Sequence, residues 1–318
     1  MKSYIISSRP DLTTFEKLSN LIALVGILAL LLQSCEKIIV IDPPAYESRP
    51  VIECLLMPGT MPIVYVSRSV PFFDSEATPS ALFAREAEVV ISGGGEQETL
   101  KMDSIYDHYY CRWQPHYGGQ IATKPNVTYT LTVKIGDKTY TANTTTNVLP
   151  VEMDEVSYTN SFRDAYGEHQ GVIIDFTDPA GVENFYRFHM TREVDSTVYT
   201  IDTYEYNPKC LGAGSTVIED IGWFVYFDKN ADGQISRIIM EPSHTFKQDD
   251  VAIVRLQSLD KNAAVWYDHL DKLKQASLNP FIEPVILKEF QFKGALGVFG
   301  NVNLSTEPIE IIFPEDNE

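Results

Sequence analysis

Period-two alternation constrains this chain more than any other feature. In Thr128-Tyr129-Thr130-Leu131-Thr132-Val133 polar and apolar side chains alternate strictly. Successive side chains of a strand point to opposite faces, so such a run is a strand with one buried face. Short strand-like runs recur through the first half: Val51–Met57, Ile63–Val70, Ala87–Ser92, Glu96–Met102, His108–Trp113, Val127–Ile135 and Lys138–Thr146. This count and spacing predict an immunoglobulin-like or fibronectin-like β-sandwich over residues 49–150. Pro125 followed by Tyr129 matches the tyrosine corner of such sandwiches, where a Tyr hydroxyl bonds a nearby backbone group. Gly93-Gly94-Gly95 and Gly136-Asp137 read as hairpin turns. The triple glycine is followed by neither a helix nor a Lys-Ser/Thr pair, which argues against a phosphate loop.

Residues 151–318 predict a second β-rich domain beyond Val148-Leu149-Pro150. Its strand-like runs are Val172–Phe176, Phe185–Thr191, Thr197–Tyr204, Val217–Phe227, Ile235–Met240 and Val251–Gln257. Two more follow at Pro284–Phe292 and Pro308–Phe313, with Leu296-Gly297-Val298-Phe299-Gly300 between them. One amphipathic helix is expected at about 260–276. Leu259, Ala263, Trp266, Leu270 and Leu273 recur at spacings of three and four, and their face should pack on the sheet. Ser258 is a candidate N-cap, and Asn279-Pro280 a stop. The expected class is therefore mainly β, with an N-terminal sandwich and a C-terminal helix on the second unit.

Upstream lies Leu21–Cys35, LIALVGILALLLQSC. Its apolar run is shorter than the roughly 20 residues that a bilayer crossing needs, and it fits the h-region of a secretory signal. Lys2, Arg9 and Lys17 precede it, diluted by Asp11 and Glu16. The ending Leu32-Gln33-Ser34-Cys35 resembles a bacterial lipobox, although Gln33 is larger than the usual residue there. That resemblance makes 1–34 a lipoprotein signal peptide and Cys35 the acylated N-terminus of the mature chain. A plain secretory signal and an uncleaved anchor are the alternatives. Glu36–Ser48 (within 35–48) then reads as a tether, extended by Pro43-Pro44.

Formal net charge is −19. A surface so acidic repels nucleic acid, whose binding rests on Lys and Arg neutralising phosphates. It repels anionic lipid head groups as well, so lipid on Cys35 and not surface charge would hold the protein at a membrane. Cys54, Cys111 and Cys210 remain after Cys35. One disulfide, with Cys54–Cys111 the favoured pair, stands beside the alternative of buried reduced thiols. The cysteines are too scattered for a zinc site.

Several stretches in chain order resemble one family. Cys35-Glu36-Lys37 with Ile41-Asp42-Pro43-Pro44 resembles its mature N-terminus. Val51–Leu56, Val64–Ser69 and Thr128–Val133 fit its first strands and its central strand. Asp175-Phe176-Thr177-Asp178-Pro179 with Asn184-Phe185-Tyr186-Arg187 fits its aromatic strand entry. Asn279–Val285 and Lys293–Gly300 resemble its closing signature, with Ala295 where Gly is more usual. The family is domain of unknown function 4249, of Bacteroidota exported lipoproteins. The resemblance implies a lipid-anchored outer-membrane protein encoded near TonB-dependent receptors, and it supplies no catalytic residues. Glu36-Lys37 is compatible with the periplasmic or the extracellular face.

One stretch has metal-binding form. Asp228-Lys229-Asn230-Ala231-Asp232-Gly233 places oxygen ligands at positions one, three and five, with Gly at six, as a calcium loop begins. Asp228, Asn230 and Asp232 are the candidate ligands, but position twelve is Ile239 and Glu241 falls out of phase. The competing reading is a polar hairpin loop. His108, His116, His169, His189, His244 and His269 show no HxH or HExxH spacing, and no GxSxG elbow occurs. Trp113, Trp223 and Trp266 would line a cleft or fill the core. The functional expectation is a non-enzymatic accessory of a TonB-dependent receptor, with no cofactor. A free-standing surface binding or adhesion module, calcium-stiffened, and a hydrolase with an unrecognised site are the alternatives.

Overall fold

The computed structural model describes residues 46–71, 78–107, 112–163, 167–195, 215–222, 224–229, 231–242, 248–278 and 286–313. Its strands are β1 (Pro50–Leu56), β2 (Ile63–Arg68), β3 (Glu88–Gly93), β4 (Glu96–Thr99), β5 (Lys101–Asp107), β6 (Arg112–Gly118), β7 (Thr128–Ile135), β8 (Lys138–Thr145), β9 (Glu155–Arg163), β10 (Glu168–Thr177), β11 (Phe185–Asp195), β12 (Ser215–Ile221), β13 (Tyr226–Phe227), β14 (Ile235–Met240), β15 (Val251–Leu259), β16 (Leu296–Leu304) and β17 (Ile309–Ile312). The helices are α1 (Pro79–Leu82) and α2 (Lys261–Leu278).

One long sheet, ordered β12-β11-β15-β16-β1-β2-β6-β5, is the middle layer. A four-stranded sheet, β4-β3-β7-β8, covers one part of it and a three-stranded sheet, β14-β10-β9, covers another. Alternation sets the layers. On β1, Ile52, Cys54 and Leu56 join Val64, Val66, Leu131 and Val133 in the core against the four-stranded sheet. Tyr186, Phe188 and Met190 of β11 meet Val172, Ile174 and Phe176 of β10 in the second core. The odd-numbered residues of β1 take the opposite face, where Val51 and Leu55 pack with Trp266 of α2.

The fold is mainly β, as the alternation implies. The tyrosine corner forms: the Tyr129 hydroxyl accepts from the Lys124 backbone N–H at 2.8 Å. Both hairpin turns form too, with Ser92 paired to Gln97 and Ile135 to Lys138. The expected strand at 96–102 is divided between β4 and β5.

The boundary expected near Pro150 is no break in the sheet. β1 pairs in parallel with β16, so an early strand and a late one are neighbours, and residues 47–318 form one compact unit. Asn301 ties the linker down: its Oδ1 accepts from the Val148 N–H at 2.8 Å and its Nδ2 donates to the Leu56 carbonyl at 2.8 Å. Pairing depends on Gly297. Its φ is +127°, and a Cβ there would lie 1.8 Å from the Ile52 carbonyl oxygen, so only glycine permits this approach of strands.

Three expectations near the C-terminus change. Residues 286–292 are irregular, and the strand lies at Leu296–Leu304 instead. That strand is buried on both faces, hence continuous and not alternating in pattern. The Gln291 side chain pairs with its open edge, donating to the Phe299 carbonyl at 2.8 Å and accepting from the Phe299 N–H at 2.7 Å. The N-cap of α2 is Asp260, not Ser258. Its Oδ1 accepts from the Ala263 N–H at 2.7 Å, while Ser258 is the penultimate residue of β15. The run at 217–227 is two strands, β12 and β13, split at Gly222. The run expected at Thr197–Tyr204 lies outside the described residues.

Candidate functional site

The calcium-like loop joins β13 to β14 and folds against the turn Asp178–Gly181 that follows β10. This packing brings a third carboxylate to the loop: ligand oxygens of Asp178, Asp228 and Asp232 lie within 4.8 Å of one another. Asp178 and Asp228 are buried and Asp232 is exposed. Asn230 falls outside the described residues, as does Cys35. Gly233 allows the approach, because a Cβ there would meet the Ala180 Cβ at 2.7 Å.

Each carboxylate is also bonded to the protein. Asp178 Oδ1 accepts from the Tyr186 hydroxyl at 2.6 Å and from Asn184 Nδ2 at 3.2 Å, and its Oδ2 accepts from the Gly233 N–H at 3.1 Å. Asp228 Oδ2 accepts from the Asn184 N–H at 2.8 Å, and Asp232 Oδ1 from the Gly181 N–H at 2.6 Å. Burial, then the hydrogen bond to Asp178 and the charges of Asp178 and Asp228, push the Tyr186 hydroxyl well above the ordinary tyrosine range. Tyr186 is therefore a fixed donor. Acidic oxygen ligands in this number suit a hard divalent cation such as calcium. Glu241 is not among them, since it pairs with His169 Nδ1 at 3.2 Å. Sequence spacing placed Asp228 and Asp232 together. Asp178 was not readable as a ligand, because its proximity arises from pairing of β10 with β14.

A second polar constellation lies under α2, and the sequence pattern did not reveal it. Of the predicted helix face, Leu259, Ala263 and Trp266 are buried as expected, but in its last turns Leu270 and Leu273 are only half-buried, whereas Asp271 is 0 % exposed. Asp271 Oδ2 accepts from Arg187 Nη2 at 3.2 Å and from the Phe224 N–H at 3.1 Å. Arg187 also donates to the Gly222 carbonyl from Nε and Nη2. Its guanidinium lies 4.6 Å from the Tyr267 ring centroid. The Tyr267 hydroxyl donates to Glu53 Oε1 at 2.6 Å. Burial, then the Glu53 charge, push that hydroxyl well above its usual range, and burial pulls Arg187 down against the opposing pull of Asp271. The i, i+4 pair Tyr267 and Asp271 was the available signal: two polar residues on the face turned to the sheet.

The remaining candidates separate. Trp266 is core, 4 % exposed beside Leu296 and Val298. Trp113 is 59 % exposed and meets Tyr106 edge-on at 5.2 Å. Trp223 lies outside the described residues. Cys54 is a free thiol in the sandwich core, so the Cys54–Cys111 pairing does not form. Its side chain alternates inward with Ile52 and Leu56, and burial pushes the thiol far up. Among the described residues no helix is long and apolar enough to cross a membrane.

A family model described as "Domain of unknown function (DUF4249)" matches residues 36–310. No curated protein matches the chain. A solved structure of the chicken interferon gamma receptor alpha chain is similar over 85% of this chain and 100% of that one, at 9% identity. The TM-score is 0.19, too loose a superposition to carry an argument.

Proposed function

This chain belongs to the domain of unknown function 4249 family, and from that premise we propose that it is a non-enzymatic outer-membrane lipoprotein, anchored through Cys35, that serves a TonB-dependent nutrient receptor as a binding accessory. One observation carries the reading. The family match opens at residue 36, immediately after the cysteine of Leu32-Gln33-Ser34-Cys35. The shared part of the family thus begins where signal cleavage would leave an acylated cysteine. Each buried methylene of an acyl chain adds about 0.8 kcal/mol of membrane affinity, and several chains give a durable anchor. Confinement to the membrane plane raises the effective concentration of the β-layers near a receptor.

The test replaces residues 1–35 with a cleavable secretory signal and fractionates the cells. Release of folded protein from the outer-membrane fraction is the expected result. Sedimentation of the lipid-free protein with outer membranes in high salt would overturn the role of Cys35. Affinity capture of the lipidated protein from mildly solubilised outer membrane should bring down a TonB-dependent receptor in stoichiometric amount, and recovery without one would overturn the accessory role.

A second reading, a free-standing surface binding or adhesion module stiffened by calcium, is favoured by the meeting of Asp178 with Asp228 and Asp232. A ligand that binds only the folded state at 100 times its dissociation constant stabilises by about 2.7 kcal/mol. Millimolar calcium should then raise the unfolding midpoint of the wild type and not of Asp178→Asn. An unchanged wild-type midpoint rejects it.

A further inference from the structure

The outer face of β1 carries a residue out of keeping with its position. Glu53 sits mid-strand between Val51 and Leu55, with Val298 of β16 and Tyr65 of β2 as its Cα partners. Both neighbouring strands are paired there, and α2 packs beside it. Glu53 is half-buried there, and a carboxylate partly withdrawn from water costs free energy without a compensating partner. The Tyr267 hydroxyl satisfies one oxygen, Oε1. A neutral phenol leaves the charge in place. Among the described residues no Lys, Arg or His forms an ion pair with Glu53. Arg187, the guanidinium on this side of the sheet, feels the Glu53 charge but makes its ion pair with Asp271 and its hydrogen bonds to Asp271 and the Gly222 carbonyl.

An open pocket of about 220 Å³ lies against this carboxylate, lined by Glu53, Leu55, Ile63, Tyr65 and Tyr267 together with Cys54. We propose that this pocket binds an alkylammonium group, with Glu53 as its counter-ion. The chemistry of the walls selects that class. The carboxylate takes the ammonium in a charge-assisted hydrogen bond. Tyr65 contributes an aromatic ring to the wall, which a cation can approach, while Tyr267 holds the carboxylate in place through its hydroxyl. Leu55 and Ile63 offer apolar surface to the methylenes behind it, as the stem of a lysine side chain requires. A phosphate, sulfate or carboxylate group would face Glu53 in a chain of net charge −19. The same field draws cations toward the surface. The pocket's geometry is independent of Cys35 and of any receptor, so the proposal stands or falls separately from the anchoring role.

The experiment titrates the full-length protein in detergent, by calorimetry, with n-butylammonium, with n-butanol and with Nα-acetyl-lysine methylamide. Saturable binding of n-butylammonium is expected, weakening as salt rises, with n-butanol silent. Glu53→Gln keeps an oxygen acceptor for the Tyr267 hydroxyl and removes the charge, and it should weaken binding at least tenfold. Tyr65→Leu leaves the carboxylate and the helix contact intact and should weaken binding severalfold, which keeps the test alive if Glu53→Gln misfolds. Binding of the blocked lysine as tightly as n-butylammonium assigns the pocket to lysine side chains of peptides. Binding of n-butylammonium alone assigns it to free amines, and either supports the proposal. Equal binding of n-butanol, unchanged affinity in folded Glu53→Gln, or no binding of either amine would overturn it.

Discussion

The two faces of β1 solve burial in different ways. Ile52, Cys54 and Leu56 face a core closed by Val64, Val66, Leu131 and Val133, where the stabilising contacts are apolar and non-directional. Val51, Glu53 and Leu55 face α2, where the fastening includes the Glu53–Tyr267 hydrogen bond, the Arg187–Asp271 ion pair and the Asp260 cap. Asp260 alone joins three segments, accepting from Thr144 on β8 at 2.9 Å, from the Asn301 N–H at 2.9 Å and from the Ala263 N–H. Apolar packing tolerates exchange among shapes of similar volume. A buried polar network tolerates loss of both partners together far better than loss of one. One strand thus carries a forgiving face and an exacting one.

Breaking what both faces share should cost most. Gly297→Ala drives a Cβ into the Ile52 carbonyl and separates β1 from β16. A loss above about 4 kcal/mol, or failure to fold, is expected from a backbone clash of this kind, read by denaturant unfolding and by recovery of soluble protein.

The next test separates the faces. Asp271→Ala leaves the buried Arg187 without its carboxylate and should cost about 3–5 kcal/mol, whereas Arg187→Met with Asp271→Leu should return most of that loss. Leu131→Ala in the sandwich should cost about 2–5 kcal/mol, and adding Val66→Ala should deepen it. If the double exchange under α2 is as unstable as Asp271→Ala, the contrast between the faces is wrong.

Asp260→Ala should cost less, about 1–3 kcal/mol, by removing a cap and two further hydrogen bonds. Its carboxyl is raised by burial, against hydrogen bonds from Ala263, Thr144 and Asn301. A carboxyl raised in the folded state opposes folding above that raised value, and the penalty vanishes as pH falls to the ordinary 3.8. Asp260→Asn should therefore remove a component of stability that improves on acidification, visible as a changed slope of unfolding free energy against pH.

The smallest effect belongs to the solvent-facing edge. The His189 hydrogen bond holds the Glu219 carboxyl below its ordinary 4.5. Its contribution is present above pH 4.5 and is lost as pH falls through the lowered folded value. Glu219→Gln should make the acid limb of the stability profile slightly shallower. Glu219 is 57 % exposed, so solvent screening keeps the change small. An unaltered acid limb would remove this pair from the account.

Much of the fold was legible in the chain. Thr128–Val133 is a strand because its alternation admits one buried face, and Tyr129 marks its own corner. The calcium-like loop was half legible, since Asp228 and Asp232 are neighbours in sequence whereas Asp178 arrives from another strand. The predicted helix and the buried positions Ala263 and Trp266 were legible, but Leu270 and Leu273 are only half-buried and Asp271 takes the inside instead. A hydrophobic rule cannot anticipate Asp271 inside, because the Arg187 that makes it tolerable is 84 residues away.

By itself the sequence determined the β class, the hairpin turns, the helix and the apolar run that precedes Cys35. Each of these is a local matter, written in side-chain period, turn chemistry or the length of an apolar run. Only the tertiary structure decided the rest: that β1 lies beside β16, that Asp178 completes the acidic cluster, and that Glu53 faces a pocket with two tyrosines. These depend on which distant strands pair, and register on a sheet converts a position in sequence into a neighbour in space.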